Sequence, residues 1–426
     1  MTSGLLLIAH NCLLAVCLAG AWLVISLYAL LALAGFLYHR QMARRPRPSD
    51  SAHWPPVSVL VPAHNEEIVI AGTIESILHL DYPHHLLDII VVDDSSTDRT
   101  REIVEHLMAT DRRVKLVAIP RGFGGKGKSH ALNLGLRHAK HELIAVYDAD
   151  NSPEPQSLRL LVRELVEDPG LAAVVGKVRT LNRAANFLTR CINVEFISFQ
   201  WIVQAGRWRL FHLSSLPGTN YIIRREALEL AGGWDPGAIA DDAELTVRLS
   251  QEGYHIKFVP NATTWEPEPQ DWGVWLRQRL RWARGGTYVV RKFLPRLLRL
   301  RRRNLLLEVL HLGTMYHVFF VVLVLSDLIL AAGLIGGLTV GFDGGPLMAL
   351  WGLALAVFLL QMAVALAVEG ENSPVNLLAA AAMYFTYCQV WVYVCAKAHY
   401  LDMVKQERLR WDKTLRVPRT TDPGPH

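Results

Sequence analysis

Apolar positions along the chain follow two patterns that do not belong to one kind of domain. From Leu5 to Tyr38 no residue carries a formal charge, a run longer than the ~20 residues needed to cross a bilayer. Further apolar runs lie at about Met315–Val340, Leu347–Val368 and Val375–Ala396. They are separated by "GFDGGP" and "EGENSP", whose Gly, Pro and acidic character predicts short exposed turns. Between the first run and the rest, apolar residues come in short blocks: "VSVLVPAHNEE" from Val57, then "LDIIVVDDSSTD", "VKLVAIP", "ELIAVYDAD" and "LAAVVGKV". Segments of about 10–15 residues with helical periodicity separate these blocks. Strands alternating with helices predict an α/β domain with a mostly parallel, doubly wound sheet, inserted between membrane-spanning helical segments. In such sheets ligands bind beyond the carboxyl ends of the strands, so 62–67, 93–98, 122–129 and 147–150 are expected to converge.

Composition agrees with two environments. The 426 residues are 51% hydrophobic, with a mean hydropathy of +0.21, too apolar for a wholly water-soluble chain. The first run lacks a basic leader and is too long for a cleaved signal. It ends in "HRQMARRPR", whose arginines favour the cytoplasmic side. Arg291 to Arg303, "RKFLPRLLRLRRR", is basic and amphipathic, which suits a helix lying on anionic headgroups; Phe293, Leu294, Leu297, Leu298 and Leu300 need cover. Net charge is +5, with arginines beside the apolar runs, so membrane lipids explain them better than nucleic acid does. The five cysteines form neither a metal spacing nor a disulfide framework, in keeping with a reducing cytoplasm for the soluble part.

"GFGGKGKS", Gly122 to Ser129, matches the phosphate-binding pattern G-x-x-x-x-G-K-[ST] at Gly122, Gly127, Lys128 and Ser129. It also contains G-x-G-x-x-G. Against an ATPase, two acid-tipped strands precede this loop, and only one helix fits between Lys128 and Asp148. Against a dinucleotide site, no ribose-binding acid follows at the expected place. A transporter with a nucleotide-sensing domain fits poorly, since Asp327 is the one clear acid within the apolar runs.

The acids are more telling. Asp148 and Asp150 form D-x-D at a strand end, where alternate residues face one side and can share one metal ion. Hard oxygen ligands suit Mg²⁺ or Mn²⁺ on a diphosphate. Asp93–Asp94 ends another strand, with Ser95, Ser96 and Asp98 placed to cap the next helix. Asp241–Asp242 and Glu244 open a further helix with more acid than capping needs. In chain order the segments "VPAHNEE", "VVDDSSTDRT", "GKSHALNLGL", "YDAD", "GTNYIIRREAL", "GGWDPGAIADDAELTVRL" and "QRLRW" resemble a family 2 glycosyltransferase of the GT-A fold. The likeness extends to the membrane-embedded synthases of cellulose, chitin oligomers, hyaluronan and poly-N-acetylglucosamine, and runs from Val57 to about Gly286.

That resemblance implies roles. The "GK" before "ALN" belongs to a loop beside the nucleotide base, so the phosphate-loop match is a coincidence. Pro62, Ala63, Glu66, Asp93 and Asp94 would hold the nucleotide, with Lys128 near the uracil. Asp148 and Asp150 would bind the diphosphate and its Mg²⁺ or Mn²⁺. Asp242 would be the general base, with Asp241 beside it at the acceptor. Gln278 and Arg281 of Q-x-x-R-W would face the donor, and Trp282 would stack on the acceptor sugar. Where the family has T-E-D this chain has "ADD", which leaves the construction of the acceptor end open. Implied is direct displacement from a UDP-sugar (glucose or N-acetylglucosamine) onto a growing β-linked polysaccharide, or else single-step transfer to a lipid acceptor, with an accessory export protein as a further partner. The expected layout is a transmembrane segment (1–45), a cytoplasmic GT-A domain (55–290), an amphipathic interfacial helix (291–312), three hydrophobic segments (313–400) and a basic tail (401–426), multi-pass in the inner (plasma) membrane. Three crossings would put the tail outside, whereas its basic residues say inside. Either one apolar run in Leu347–Ala396 stops short of crossing or the tail breaks the charge rule.

Overall fold

The computed structural model describes residues 2–46, 53–300, 303–318, 321, 324 and 344–406. The greater part of the apolar run Met315–Val340, including Asp327, and most of the tail 401–426 lie outside them. A long helix α1 (Thr2–Ala43) precedes the α/β domain. That domain runs β1 (Val57–Ala63), α2 (Ile70–Leu78), β2 (Leu87–Asp93), α3 (Thr100–Thr110), β3 (Val114–Ala118), α4 (Lys128–His138), β4 (Leu143–Val146), β5 (Ser152–Pro153), α5 (Ser157–Glu167), β6 (Leu171–Thr180), α6 (Phe187–Ser198), α7 (Gly206–Phe211), β7 (Tyr221–Arg224), α8 (Arg225–Leu230), α9 (Asp241–Glu252), β8 (His255–Glu266) and α10 (Trp272–Leu300). A π-helical stretch, Phe199–Ala205, joins α6 to α7. After it come α11 (Arg303–Gly313), α12 (Gly344–Val368), α13 (Pro374–Phe385) and α14 (Tyr387–His399).

Eight strands form one mixed sheet in the order β3-β2-β1-β4-β7-β6-β8-β5. The five strands expected from apolar blocks are present, and β1 pairs in parallel with both β2 and β4. The parallel half ends at β7, which runs antiparallel to β4 and β6. Strand β7 is four residues long and β8 carries Pro260 and Asn261, so neither stands out as an apolar block. Strands β1 and β2 are buried almost throughout because helices cover both faces.

No boundary falls at residue 290. Helix α10 carries the Q-x-x-R-W residues and continues unbroken into the basic stretch. There Phe293 is fully buried with Val247, Leu305 and Val309, while Leu294 is half exposed. The cover that Phe293 needs comes from α9 and α11 rather than from lipid alone.

Of the four expected runs, most of Met315–Val340 lies outside the described residues. Among the described residues one helix segment, Trp22–Ala43, is long and apolar enough to cross a membrane, and α13 with the helix after it would pass as a second only if counted as one span bent by 40°. The turn "EGENSP" is not a free loop. Glu369 is buried and pairs with Lys177 at 2.9 Å and with Arg179, and it accepts a bond from the Trp201 indole at 2.5 Å. Glu371 pairs with Arg179 at 2.6 Å and Arg183 at 2.8 Å. Those partners belong to the α/β domain and the loop after β6, which draws the turn onto it.

One buried contact joins the domain to the C-terminal helices. Arg279 of α10 has no exposed surface, and its guanidinium donates to Glu195 of α6 at 2.6 Å. Glu195 also accepts from Tyr387 at 2.6 Å and Trp391 at 2.9 Å, both on α14. Removing one partner of a buried pair strands the other charge, so Glu195→Ala should lower stability by about 3–5 kcal/mol. Unfolding in detergent measures this, and adding Arg279→Met should recover much of the loss. An unchanged transition in Glu195→Ala would mean that the contact carries no stability.

Candidate active site

One cavity of about 390 Å³ opens at the carboxyl ends of β1 and β4. Of the residues singled out in the sequence, Pro62, Ala63, Glu66, Asp94, Lys128, Asp148, Asp150, Asp241, Asp242, Gln278, Arg281 and Trp282 all line it. Asp93 does not: its carboxylate turns back to accept from the Ser96 amide at 3.1 Å, a capping role. Asp98 likewise accepts from the Thr100 amide at 3.0 Å.

The glycine-rich loop is held by Asp94, whose two carboxylate oxygens accept from the amides of Gly125 at 2.9 Å and Gly127 at 3.3 Å. Helix α4 starts at the next residue, Lys128. The resemblance puts this lysine beside the base, and in the structure its ammonium lies among acids. It pairs with Asp148 at 2.5 Å and donates to the Gly218 carbonyl at 2.8 Å. Burial pulls the ammonium's pKa down, and the carboxylates of Asp148, Asp241 and Asp242 outweigh that and raise it. Gly218 makes this approach workable. Its φ is +86°, and an added Cβ would sit 3.3 Å from Asp242 and 3.4 Å from the lysine nitrogen.

Asp241 and Asp242 open α9 on the opposite wall. Burial raises both, and Lys128 opposes the rise; Asp241 is pushed up to about 6. Asp242 accepts from the amide of Ala243 at 2.8 Å. Helix α10 closes the cavity from a third side. It comes close because Gly285 faces Ala240, where a Cβ would lie 2.6 Å from the alanine's own. Trp282 carries the Arg279 guanidinium 3.9 Å from its ring centre, and the Phe196 ring is stacked 6.3 Å away.

Two acids escaped the sequence reading. Glu266 and Glu268, at the end of β8, line the same cavity. Asn151 donates to Glu266 at 2.9 Å and in turn accepts from Thr219, which also receives the Asp148 amide at 3.0 Å. Burial raises both glutamates, helped at Glu266 by repulsion from Glu268 and at Glu268 by Asp150 and Glu195, so that Glu268 is pushed up to about 7 despite Arg279. Their signal was there: "WEPEP" repeats at a strand end the same one-residue spacing as D-x-D. Glu195, Tyr316 and Trp391 also reach the cavity, from helices whose apolar periodicity marked them only as packing.

The donor set fits a divalent cation bound with its substrate. Among the described residues no three acids, histidines or cysteines are grouped closely enough to hold a metal alone. Asp148 and Asp150 give two carboxylates. Magnesium sites of this kind are completed by substrate phosphates and water.

The sequence pattern described as "Glycosyltransferase like family 2" matches residues 55–285. The chain belongs to that family. A probable glycosyltransferase of Bacillus subtilis strain 168, YdaM, is 41% identical over 415 residues, covering 95% of this chain and 98% of that protein. A beta-monoglucosyldiacylglycerol synthase of Synechocystis is 31% identical over 63% of this chain and 56% of its own length. A poly-beta-1,6-N-acetyl-D-glucosamine synthase of Staphylococcus epidermidis is 27% identical over 66% of each. Among solved structures, a Pyrobaculum calidifontis mannosyltransferase in complex with GDP-Man and Mn2+ has a TM-score of 0.56 at 23% identity, covering 87% of this chain and 99% of that one, a likeness of fold. The family 2 enzyme therefore has a GT-A-like mixed sheet.

The buried glutamates give this enzyme a pH dependence of stability. The folded chain keeps protons on these groups that the unfolded chain releases from about pH 4.5 upward, so their contribution to stability is fully present below that pH and is lost as pH rises towards about 7. Glu268→Gln should flatten the fall. Melting temperatures from pH 5 to 8 measure it, and curves parallel to those of the unaltered protein would show that Glu268 ionises as it does in water.

Proposed function

We propose that the chain transfers a sugar, with inversion, from a UDP-sugar to a hydroxyl of a growing β-linked glycan at a membrane. The observation carrying this reading is the gathering of D-x-D, the Asp241–Asp242 pair and Q-x-x-R-W on one cavity. Its wall beyond the acids is aromatic, with Phe196, Phe199, Trp282, Tyr316 and Trp391 offering faces on which sugar rings stack. Asp242 takes the proton from the acceptor hydroxyl. The acceptor oxygen then displaces the diphosphate at the anomeric carbon in one step, and Arg281 and Lys128 offset charge on the leaving group. Asp148 and Asp150 would hold Mg²⁺ or Mn²⁺, which would supply further positive charge against the diphosphate. A second reading, transfer to a lipid hydroxyl, is favoured by Leu312 and Met315 in the same wall and by the likeness to the diacylglycerol enzyme.

Incubation of detergent-purified protein with radiolabelled UDP-glucose and UDP-N-acetylglucosamine, followed by organic extraction, separates the two. Label should stay in the aqueous polymer fraction; label wholly in the lipid phase would replace the first reading by the second, and no transfer would end both.

Asp242→Asn keeps shape but cannot accept a proton, so turnover should fall by a factor on the order of 10² to 10⁴ while UDP affinity by calorimetry barely moves. If Asp241→Asn is the inactive variant instead, the neighbouring carboxylate is the base.

Because burial raises both carboxylates and a base acts only when ionised, kcat/KM should begin to decline on acidification at a pH above the ordinary carboxylate range. A rate that holds to pH 4 would exclude this pair.

A further inference from the structure

We propose that the bent helix pair from Pro374 to Val404 does not cross the membrane but lies along its surface on the catalytic side, with one face on the enzyme and the other in lipid. The segment is held by the catalytic domain at its start, middle and end. At the start, Arg190 of α6 donates to Asn376 at 3.1 Å, just after the turn in which Glu369 and Glu371 pair with residues of β6 and the loop after it. In the middle, Tyr387 and Trp391 bond to Glu195, and Trp275 of α10 donates to Tyr387 at 2.9 Å. At the end, Arg284 of α10 pairs with Asp402 at 2.7 Å. A span must place its ends on opposite sides of a hydrocarbon layer about 30 Å thick. Here both ends are ion-paired or hydrogen-bonded to helices of the same domain, and the rod between them bends by 40°.

Its two faces differ as this placement requires. A stripe through Ala379, Met383, Tyr387, Val394 and Ala398 is buried on the enzyme and continues across the break at Thr386. The opposite face leaves Leu378 71% and Phe385 65% exposed, and Tyr393, Tyr400 and Val404 are half or more exposed. So continuous an apolar face marks a contact surface. Lipid is the occupant it fits: Lys397 lies 5.5 Å from the Tyr393 ring centre, and aromatic and basic residues of this kind sit at the headgroup level. The placement also removes the conflict over the tail. Without a crossing after Pro374, the basic segment beyond Lys405 stays on the catalytic side, where arginine and lysine are favoured.

The test uses single cysteines in the full chain, with the five native cysteines replaced by alanine and sugar transfer retained. Glu226→Cys marks the catalytic domain, Asn372→Cys and Gln406→Cys the two ends, and Phe385→Cys the outward face. With a membrane-impermeant maleimide on inverted and right-side-out vesicles, the first three should label from one side only, the same for all, and Phe385→Cys from neither. Labelling of Gln406→Cys from the side opposite to Glu226→Cys would overturn the proposal by showing a crossing. Free labelling of Phe385→Cys, or its oxidation to a cross-linked dimer, would overturn the lipid contact in favour of water or a second copy. Should the cysteine-free chain fail to fold, alkaline phosphatase fused after His426 of the unaltered chain decides the side: inactivity is expected, and activity, which requires export, would refute it.

Discussion

The contact between Glu195 and Arg279 sets the relation between the chemistry and the helices behind it. Arg279 stands one residue from Gln278 and two from Arg281, so whatever fixes it fixes the motif. Its guanidinium is enclosed by Phe196, Trp275 and Trp282 and neutralised by a carboxylate that two side chains of α14 also hold. A charge so deeply desolvated tolerates few arrangements of its surroundings, since any shift that loses the carboxylate exposes the full cost of burial. Helices α6, α10 and α14 are thereby locked in register, and the wall carrying Arg281 and Trp282 is not free to drift from the acids on α9.

A second constraint runs the other way. The cavity collects acids from the segment after β4, from β8 and from α9, and burial makes those of β8 and α9 costly to ionise. The nearby cations Lys128 and Arg281 do not cancel that excess. Such a site attracts a cationic partner and rejects a bare anion, which is why a diphosphate is expected to arrive with a metal. Burial likewise raises Asp241 and Asp242, towards the range where a carboxylate works well as a base.

Much of this was legible in sequence because parallel strands advertise themselves. Blocks such as "VSVLV" and "LDIIVV" are apolar on both faces, and the residues that end them must lie at one edge of the sheet. That rule alone gathers Ala63, Asp94 and Asp148. It fails where function departs from strand ends. The motif names Lys128 without showing that three carboxylates distant in sequence surround its ammonium. Glu266 and Glu268 end a strand whose interior is polar enough to hide it. The turn at Glu369 looked like an exposed loop because acids flank it, yet its carboxylates are matched by Lys177 and Arg179 from β6, a pairing that no local pattern contains. Hydropathy likewise marks Val375–Ala396 as apolar without telling a helix that crosses lipid from one that shares its surface between protein and lipid.

The ion pair between Lys128 and Asp148 has a bearing on how the protein is made. In its absence the D-x-D strand end would bring carboxylates together with no counter-charge until metal and nucleotide came, and assembly of the domain would wait on both, as it does in small proteins that are unfolded without zinc. A lysine already seated there supplies an internal positive charge, so the sheet can close on a chain that has met neither ligand. If the site takes a metal-bound diphosphate as proposed, loading it would exchange one cation for another rather than complete the fold, and the empty state would keep its shape between turnovers.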